Sequence, residues 1–154
     1  MLNLYNNGDS SEGTTIVSKS SFSFCQTYCI YAQGHRAARI EKNVFYHGGA
    51  FHLKLKRVKG FTVDANLMIG AVPRPRKGGP VACLESTGSF SLVVKNNICK
   101  GSTINGFVFP LTSCSQFNSM PFTNNVAGSI SANGFLLNKE GGGGCLITLM
   151  LSRK

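Results

Sequence analysis

Four stretches decide the fold: IEKNVFYHGG (Ile40–Gly49), VDANLMIGAV (Val63–Val72), VKNNICKGST (Val94–Thr103) and FTNNVAGSIS (Phe122–Ser131). Aligned, they place an asparagine at one position, Asn43, Asn66, Asn97 and Asn125, and VSKSSFSFCQ from Val17 fits the same frame with Ser20 there. The spacings, 23, 23, 31 and 28 residues, fall in the range of solenoid repeats. Three residues before each marker stand Val17, Ile40, Val63, Val94 and Phe122; one residue after stand Ser21, Val44, Leu67, Ile98 and Val126. Two nearly apolar columns result, and stacked coils need such columns because no coil buries its inner face alone. Both are expected to point inward. Asparagine between them tolerates tight-turn angles, and its amide both donates and accepts, so stacked copies form a ladder.

A second register agrees. Asn105-Gly106-Phe107 recurs at Asn133-Gly134-Phe135, and the segments CIYA, AFHLKL, GFVFP and GFLLN read as the next strand of successive coils. The fold class expected is all-β, a right-handed parallel β-helix of about five imperfect coils. A Greek-key sandwich of short strands would give similar turn spacing, but it leaves the in-register asparagines without a cause.

The repeats run over 15–140, after an N-terminal segment, 1–14, expected to be disordered or linking. Two insertions interrupt them. AVPRPRKGGP at 71–80 holds three of the five prolines and is excluded from a central strand because proline lacks the amide donor. The segment 110–121 is read the same way, and 141–154 as a Gly-rich break followed by a terminal strand.

At 154 residues and 42% hydrophobic, the chain is the size of one domain with a true core. Eighteen glycines, no tryptophan and many Val, Ile, Phe, Thr and Asn residues suit strands and turns rather than helices. Sixteen Lys and Arg against six Asp and Glu give a net charge of +10, which favours contact with polyanions. No signal peptide is visible in the polar residues 1–13, and Cys145–Leu151 is far too short to span a bilayer as a helix. Six cysteines, Cys25, Cys29, Cys83, Cys99, Cys114 and Cys145, permit disulfides without dictating a pattern, and their spacing is not that of a zinc site. No metal and no cofactor are expected.

The phrases SFSFCQTYCIYAQG, ARIEKNVFYH, FTVDANLMIG and VKNNICKGSTINGFVFP resemble the parallel β-helix repeats of the fibrocystin and fibrocystin-L family, over roughly Thr15–Asn138. That family consists of large cell-surface proteins with long ectodomains, so the resemblance implies an extracellular or cell-surface setting and a non-catalytic scaffold or adhesion role. It also implies that this chain is a piece of a larger protein, completed by further β-helix coils or by self-association. Related hyaluronan-degrading cell-surface proteins share the architecture, which leaves a polysaccharide-acting enzyme, hyaluronan- or pectin-type, as the alternative.

Such an enzyme needs clustered carboxylates. Asp9, Glu12, Glu85 and Glu140 are scattered, whereas Glu41 and Asp64 each lie two residues before a ladder asparagine and should stack on adjacent coils. They are the only catalytic candidates. His35, His47 and His52 read as solvent-facing strand and turn residues. The stronger candidate is a basic cluster for a polyanion: Lys54 and Lys56 alternate with Leu53 and Leu55, Arg57 and Lys59 follow, and Arg74, Arg76 and Lys77 stand one coil on. The partner expected is an acidic glycan or another extracellular protein. Nucleic acid is not expected, because no recognition element accompanies the charge.

Overall fold

A computed structural model describes residues 1–5, 13–72, 81–111 and 120–139. Arg74, Arg76, Lys77, Cys114, Cys145, most of both expected insertions and the expected terminal strand lie outside those residues. The described residues form strands that visit three parallel sheets in strict rotation. Sheet A holds β1 (Leu2–Tyr5), β4 (Tyr28–Gln33), β7 (Phe51–Lys56), β10 (Ala82–Thr87), β13 (Asn105–Leu111) and β16 (Asn133–Lys139). Sheet B holds β2 (Thr15–Ser18), β5 (Arg36–Glu41), β8 (Lys59–Asp64), β11 (Val93–Lys95) and β14 (Phe122–Thr123). Sheet C holds β3 (Ser21–Cys25), β6 (Val44–Gly48), β9 (Leu67–Ala71), β12 (Ile98–Lys100) and β15 (Val126–Gly128). Every strand pairs in parallel with the strand three places along the chain, so each B–C–A triplet is one coil and five coils stack. This is a parallel β-helix.

Residues 1–14 are thus not wholly a linker: β1 pairs with β4 in the register Leu2↔Ile30 and Leu4↔Ala32, and Leu2 and Leu4 pack on the core. Ala71 closes β9, and Pro110 and Leu111 belong to β13, so both insertions begin later than expected.

The sequence makes coils rather than a folded-over sheet because its corners are built from left-handed backbone. All positive-φ residues among those described fall on four rows. Lys19, Lys42, Ala65, Asn96 and Asn124 turn sheet B into sheet C; Phe24, His47, Gly70, Gly101 and Ser129 end sheet C. Gly34, Arg57 and Gly88, then Ala37, Gly60 and Ser91, turn sheet A into sheet B. For a non-glycine residue that conformation costs about 1–2 kcal/mol. Coil-to-coil hydrogen bonds at the corners offset it, as where Lys42 N donates to Asp64 O at 3.0 Å and Arg57 N to Thr87 O at 2.8 Å.

These corners also correct the reading of the apolar columns. Ile40, Val63 and Val94 are fully buried, as expected of inward residues. Val44, Ile98 and Val126 instead point outward and are 41%, 44% and 55% exposed, with Leu67 half-buried, while Phe45, Met68 and Cys99, the residues after Val44, Leu67 and Ile98, are buried. Between the two columns sits the left-handed corner residue, which breaks the period-two alternation. A one-residue offset in a strand carries every following side chain to the opposite face.

Candidate functional site

The asparagine ladder sets the register on which every surface row depends. Asn43 N and Nδ2 donate to Asn66 Oδ1 at 3.1 and 3.0 Å, Asn66 N and Nδ2 to Asn97 Oδ1 at 3.0 and 2.9 Å, and Asn97 N and Nδ2 to Asn125 Oδ1, both at 3.0 Å. Each Nδ2 also caps a carbonyl of the neighbouring coil, such as Ile40 O at 2.8 Å from Asn66. Asn43, Asn66 and Asn97 are essentially buried, so the ladder satisfies amides that water does not reach. At the foot of the ladder Ser20 N donates to Asn43 Oδ1 at 3.0 Å.

Outside, sheet A and its corner with sheet B carry the candidate surface. Pairing places Asn3, Tyr31, Lys54, Glu85 and Val108 on one row, and Tyr5, Gln33, Lys56 and Thr87 on the next. Tyr5 is 54% exposed, meets Tyr31 edge-on at 5.9 Å, and leads to Tyr28, which stacks on Tyr31 at 5.3 Å and on Phe51 at 5.8 Å. Lys54, expected to lie on the wet face for a ligand, is engaged within the protein. Its Nζ is 2.7 Å from Glu85 and 4.5 Å from the centre of the Phe51 ring. Lys56, Arg57 and Lys59 form no ion pair among the described residues. Arg36, missed in the sequence, is the register partner of Lys59 on the adjacent coil. Like charges facing each other across strands are destabilising, so Arg36, Lys56, Arg57 and Lys59 make a corner whose charge no ion pair balances among the described residues. The periodicity of β5 against β8 was the signal for Arg36.

The carboxylate pair is brought together but is already occupied. Glu41 and Asp64 are register partners on the outer face of sheet B. Glu41 accepts from Arg39 at 2.7 Å; Asp64 lies 3.4 Å from Lys95 Nζ and accepts from Asn96 Nδ2 at 2.9 Å. Each is tied to its own donor rather than to the other, and no third carboxylate stands on these strands. Among the described residues no three His, Cys, Asp or Glu side chains gather as a metal would need.

His52 departs from the expected exposure: it is fully buried. Its Nε2 accepts from Gly48 N at 3.1 Å. Burial pushes its pKa down to about 4, a shift the Ile69 backbone opposes and neighbouring His47 reinforces. Its Nδ1 makes no well-formed hydrogen bond. His47 is exposed and stacks on Phe24 at 5.6 Å; half-buried His35 Nε2 pairs with Thr15 Oγ1 at 3.2 Å.

Two disulfides, Cys25–Cys29 and Cys83–Cys99, join Cα atoms 5.1 and 5.9 Å apart. Register explains the first histidine bond. Gly48 lies over Cys25 and His52 over Cys29, so the C-to-A corner closed by a disulfide in one coil is closed by Gly48 N–H and His52 in the next. A Cβ at Gly48 would collide with that imidazole.

The sequence family described as a right handed beta helix region matches residues 3–148. No curated protein and no solved structure gives a significant match.

Proposed function

Because this chain belongs to the right-handed β-helix family, we propose that it is a non-catalytic β-helix segment of a fibrocystin-like, extracellular or cell-surface protein, and that its ligand is an acidic glycan. The observation that carries this reading is the corner of Arg36, Lys56, Arg57 and Lys59, unpaired among the described residues and adjoining the exposed Tyr5 and half-buried Tyr31. Guanidinium and ammonium groups recognise carboxylate or sulfate, and an aromatic face accepts the apolar side of a sugar ring. The two disulfides support an oxidising, extracellular compartment. The fibrocystin-like assignment rests on the sequence resemblance alone.

The test compares two variants of equal charge. Replacing Arg36, Arg57 and Lys59 by Gln is expected to lower the salt needed to elute the protein from immobilised heparin. Replacing Lys19, Lys42 and Lys100, which lie elsewhere, is expected to do so far less. Each ionic contact removed should also flatten the salt dependence by roughly one unit of log–log slope, as for other polyanions. Equal retention of the two variants would reduce the effect to net charge and refute the site.

The alternative, a polysaccharide-acting enzyme, draws on the stacking of Glu41 over Asp64. Release of reducing or unsaturated ends from hyaluronan or pectin, lost in Glu41→Gln and Asp64→Asn, would establish it in place of the binding role.

A further inference from the structure

The outward column on sheet C has no structural role in this chain's core. Val44, Leu67, Ile98 and Val126 form one straight row along the stack, and Tyr46 and Ile69 extend it on the next row. None of the five strands of sheet C contains Asp or Glu. We propose that this face docks on the same face of a second copy of the chain, in an isologous dimer whose two-fold axis runs parallel to the strands.

The register makes the face complementary to itself. That axis keeps the order of the rows and reverses the order of the coils, so coil two meets coil five and coil three meets coil four. Val44 then opposes Val126 and Leu67 opposes Ile98, aliphatic on aliphatic. Tyr46 opposes Gly128, above which a side chain would meet open space, so the large ring faces a notch. His47 opposes Ser129, and Gly70 opposes Gly101. The charges are also separated: Lys42 opposes Asn124, and Lys100 opposes Ile69, along which its alkyl stem can lie with the ammonium in water. No cation faces a cation in this pairing. The other face-to-face two-fold, along the stack, aligns the coils but reverses the rows; centred on the Val44 row it sets Lys42 against Tyr46 and Asn96 against Lys100, and offers the ring no notch.

Four coils at about 4.8 Å and five residues at about 3.3 Å give a patch of roughly 300 Å² a side. A standard stable interface buries about 800 Å² per partner, so the dimer is weak and reversible. The net charge of +10 on each copy opposes it. Association therefore tightens with salt, the reverse of a polyanion contact.

Sedimentation equilibrium of the full chain from about 0.1 M to about 1 M NaCl, where the Debye length shrinks from about 10 Å to about 3 Å, tests this directly. The expected result is a monomer–dimer equilibrium whose dimer fraction rises with salt and disappears in Ile98→Lys, with the circular dichroism of the variant unchanged. A bismaleimide reaching about 10 Å, the face-to-face spacing of packed sheets, reads the orientation. The double variant Val44→Cys/Val126→Cys should yield a covalent dimer in amounts that neither single variant nor the parent chain reaches. A chain that stays monomeric at all salts overturns the proposal, including one whose face instead binds anionic lipid vesicles. A dimer indifferent to Ile98→Lys, or a Val44→Cys variant that cross-links as well as the double one, overturns it too. Heparin retention does not depend on this face, so failure here leaves the polyanion reading standing.

Discussion

Asn66→Ala removes a side chain that makes four hydrogen bonds, accepting from Asn43 N and Nδ2 and donating to Ile40 O and Asn97 Oδ1. Two partners keep a second bond: Asn43 Nδ2 still reaches Val17 O at 2.9 Å, and Asn97 Oδ1 still accepts from Asn66 N at 3.0 Å. Asn43 N loses its acceptor, and Ile40 O loses its side-chain donor. Leaving a buried polar group without its partner costs about 1–3 kcal/mol, so the expected loss is about 3 kcal/mol. That is a large fraction of the 5–15 kcal/mol typical of a whole domain. Asn125→Ala breaks the equivalent bonds to Asn97 N, Asn97 Nδ2 and Val94 O, but at a half-buried position where water can take over. Its cost should be nearer 1 kcal/mol. Urea unfolding followed by circular dichroism measures both, and amide exchange at Asn43 reports the local opening, which matters because stacked repeats need not unfold as one unit. If Asn66→Ala lies within about 1 kcal/mol of the parent chain, or Asn125→Ala costs as much, the ladder does not hold the coils in register as argued.

Three further predictions concern backbone and core. His52 is neutral in the folded chain, with a pKa of about 4 against 6.5 when unfolded, so between those values the unfolded state binds the extra proton. Stability should therefore be full above pH 6.5 and fall as the pH drops towards 4, by about 3 kcal/mol in all. His52→Gln should lose that slope in urea midpoints between pH 7 and pH 5, and an unchanged slope would assign the dependence to other groups. Lys42→Gly relieves a left-handed corner with φ 56 at an exposed site and should raise stability by about 0.5–1 kcal/mol after glycine's unfolded-state entropy is counted. Gly49→Ala should lower it, since a Cβ there strikes the Gln26 backbone on the neighbouring coil. A fall in Tm for Lys42→Gly would contradict the account of the corners.

The architecture was legible because its cause is repetitive. Asparagine at one place per coil and aliphatic residues three positions earlier are what a ladder and a stacked core demand, and Asn66 with Val63 shows both. The facing of the following residues was not legible. A residue such as Lys42 or Ala65 can serve as ordinary strand or as left-handed corner, and only the corner reading sends Val44 and Leu67 outward. His52 was misread for a related reason. Strand alternation with Leu53 implies a wet face, whereas His52 stands at the start of β7, beside the C-to-A corner and over buried Cys29 of the preceding coil. β10 is hard to read from sequence because Ala82–Thr87 lacks the Asn-Gly-Phe start of β13 and β16. The site was half visible: charge density drew attention to Lys56, Arg57 and Lys59, but only three-dimensional pairing adds Arg36 and withdraws Lys54 into its bond with Glu85.

The spacing of the ladder has a consequence for how such a molecule can change over generations. From Ser20 to Asn43 and from Asn43 to Asn66 the chain uses 23 residues per turn of the helix. The step from Asn66 to Asn97 uses 31, with the surplus admitted between the end of β9 at Ala71 and the start of β10 at Ala82. Length can therefore vary freely at that junction. Within a strand it cannot vary, because a gain or loss of one residue would carry every later side chain of that strand to the wrong side of the wall. A gene encoding this architecture is accordingly expected to grow and shrink by duplicating or deleting complete turns, with the molecule's reach rising by about 4.8 Å at each step.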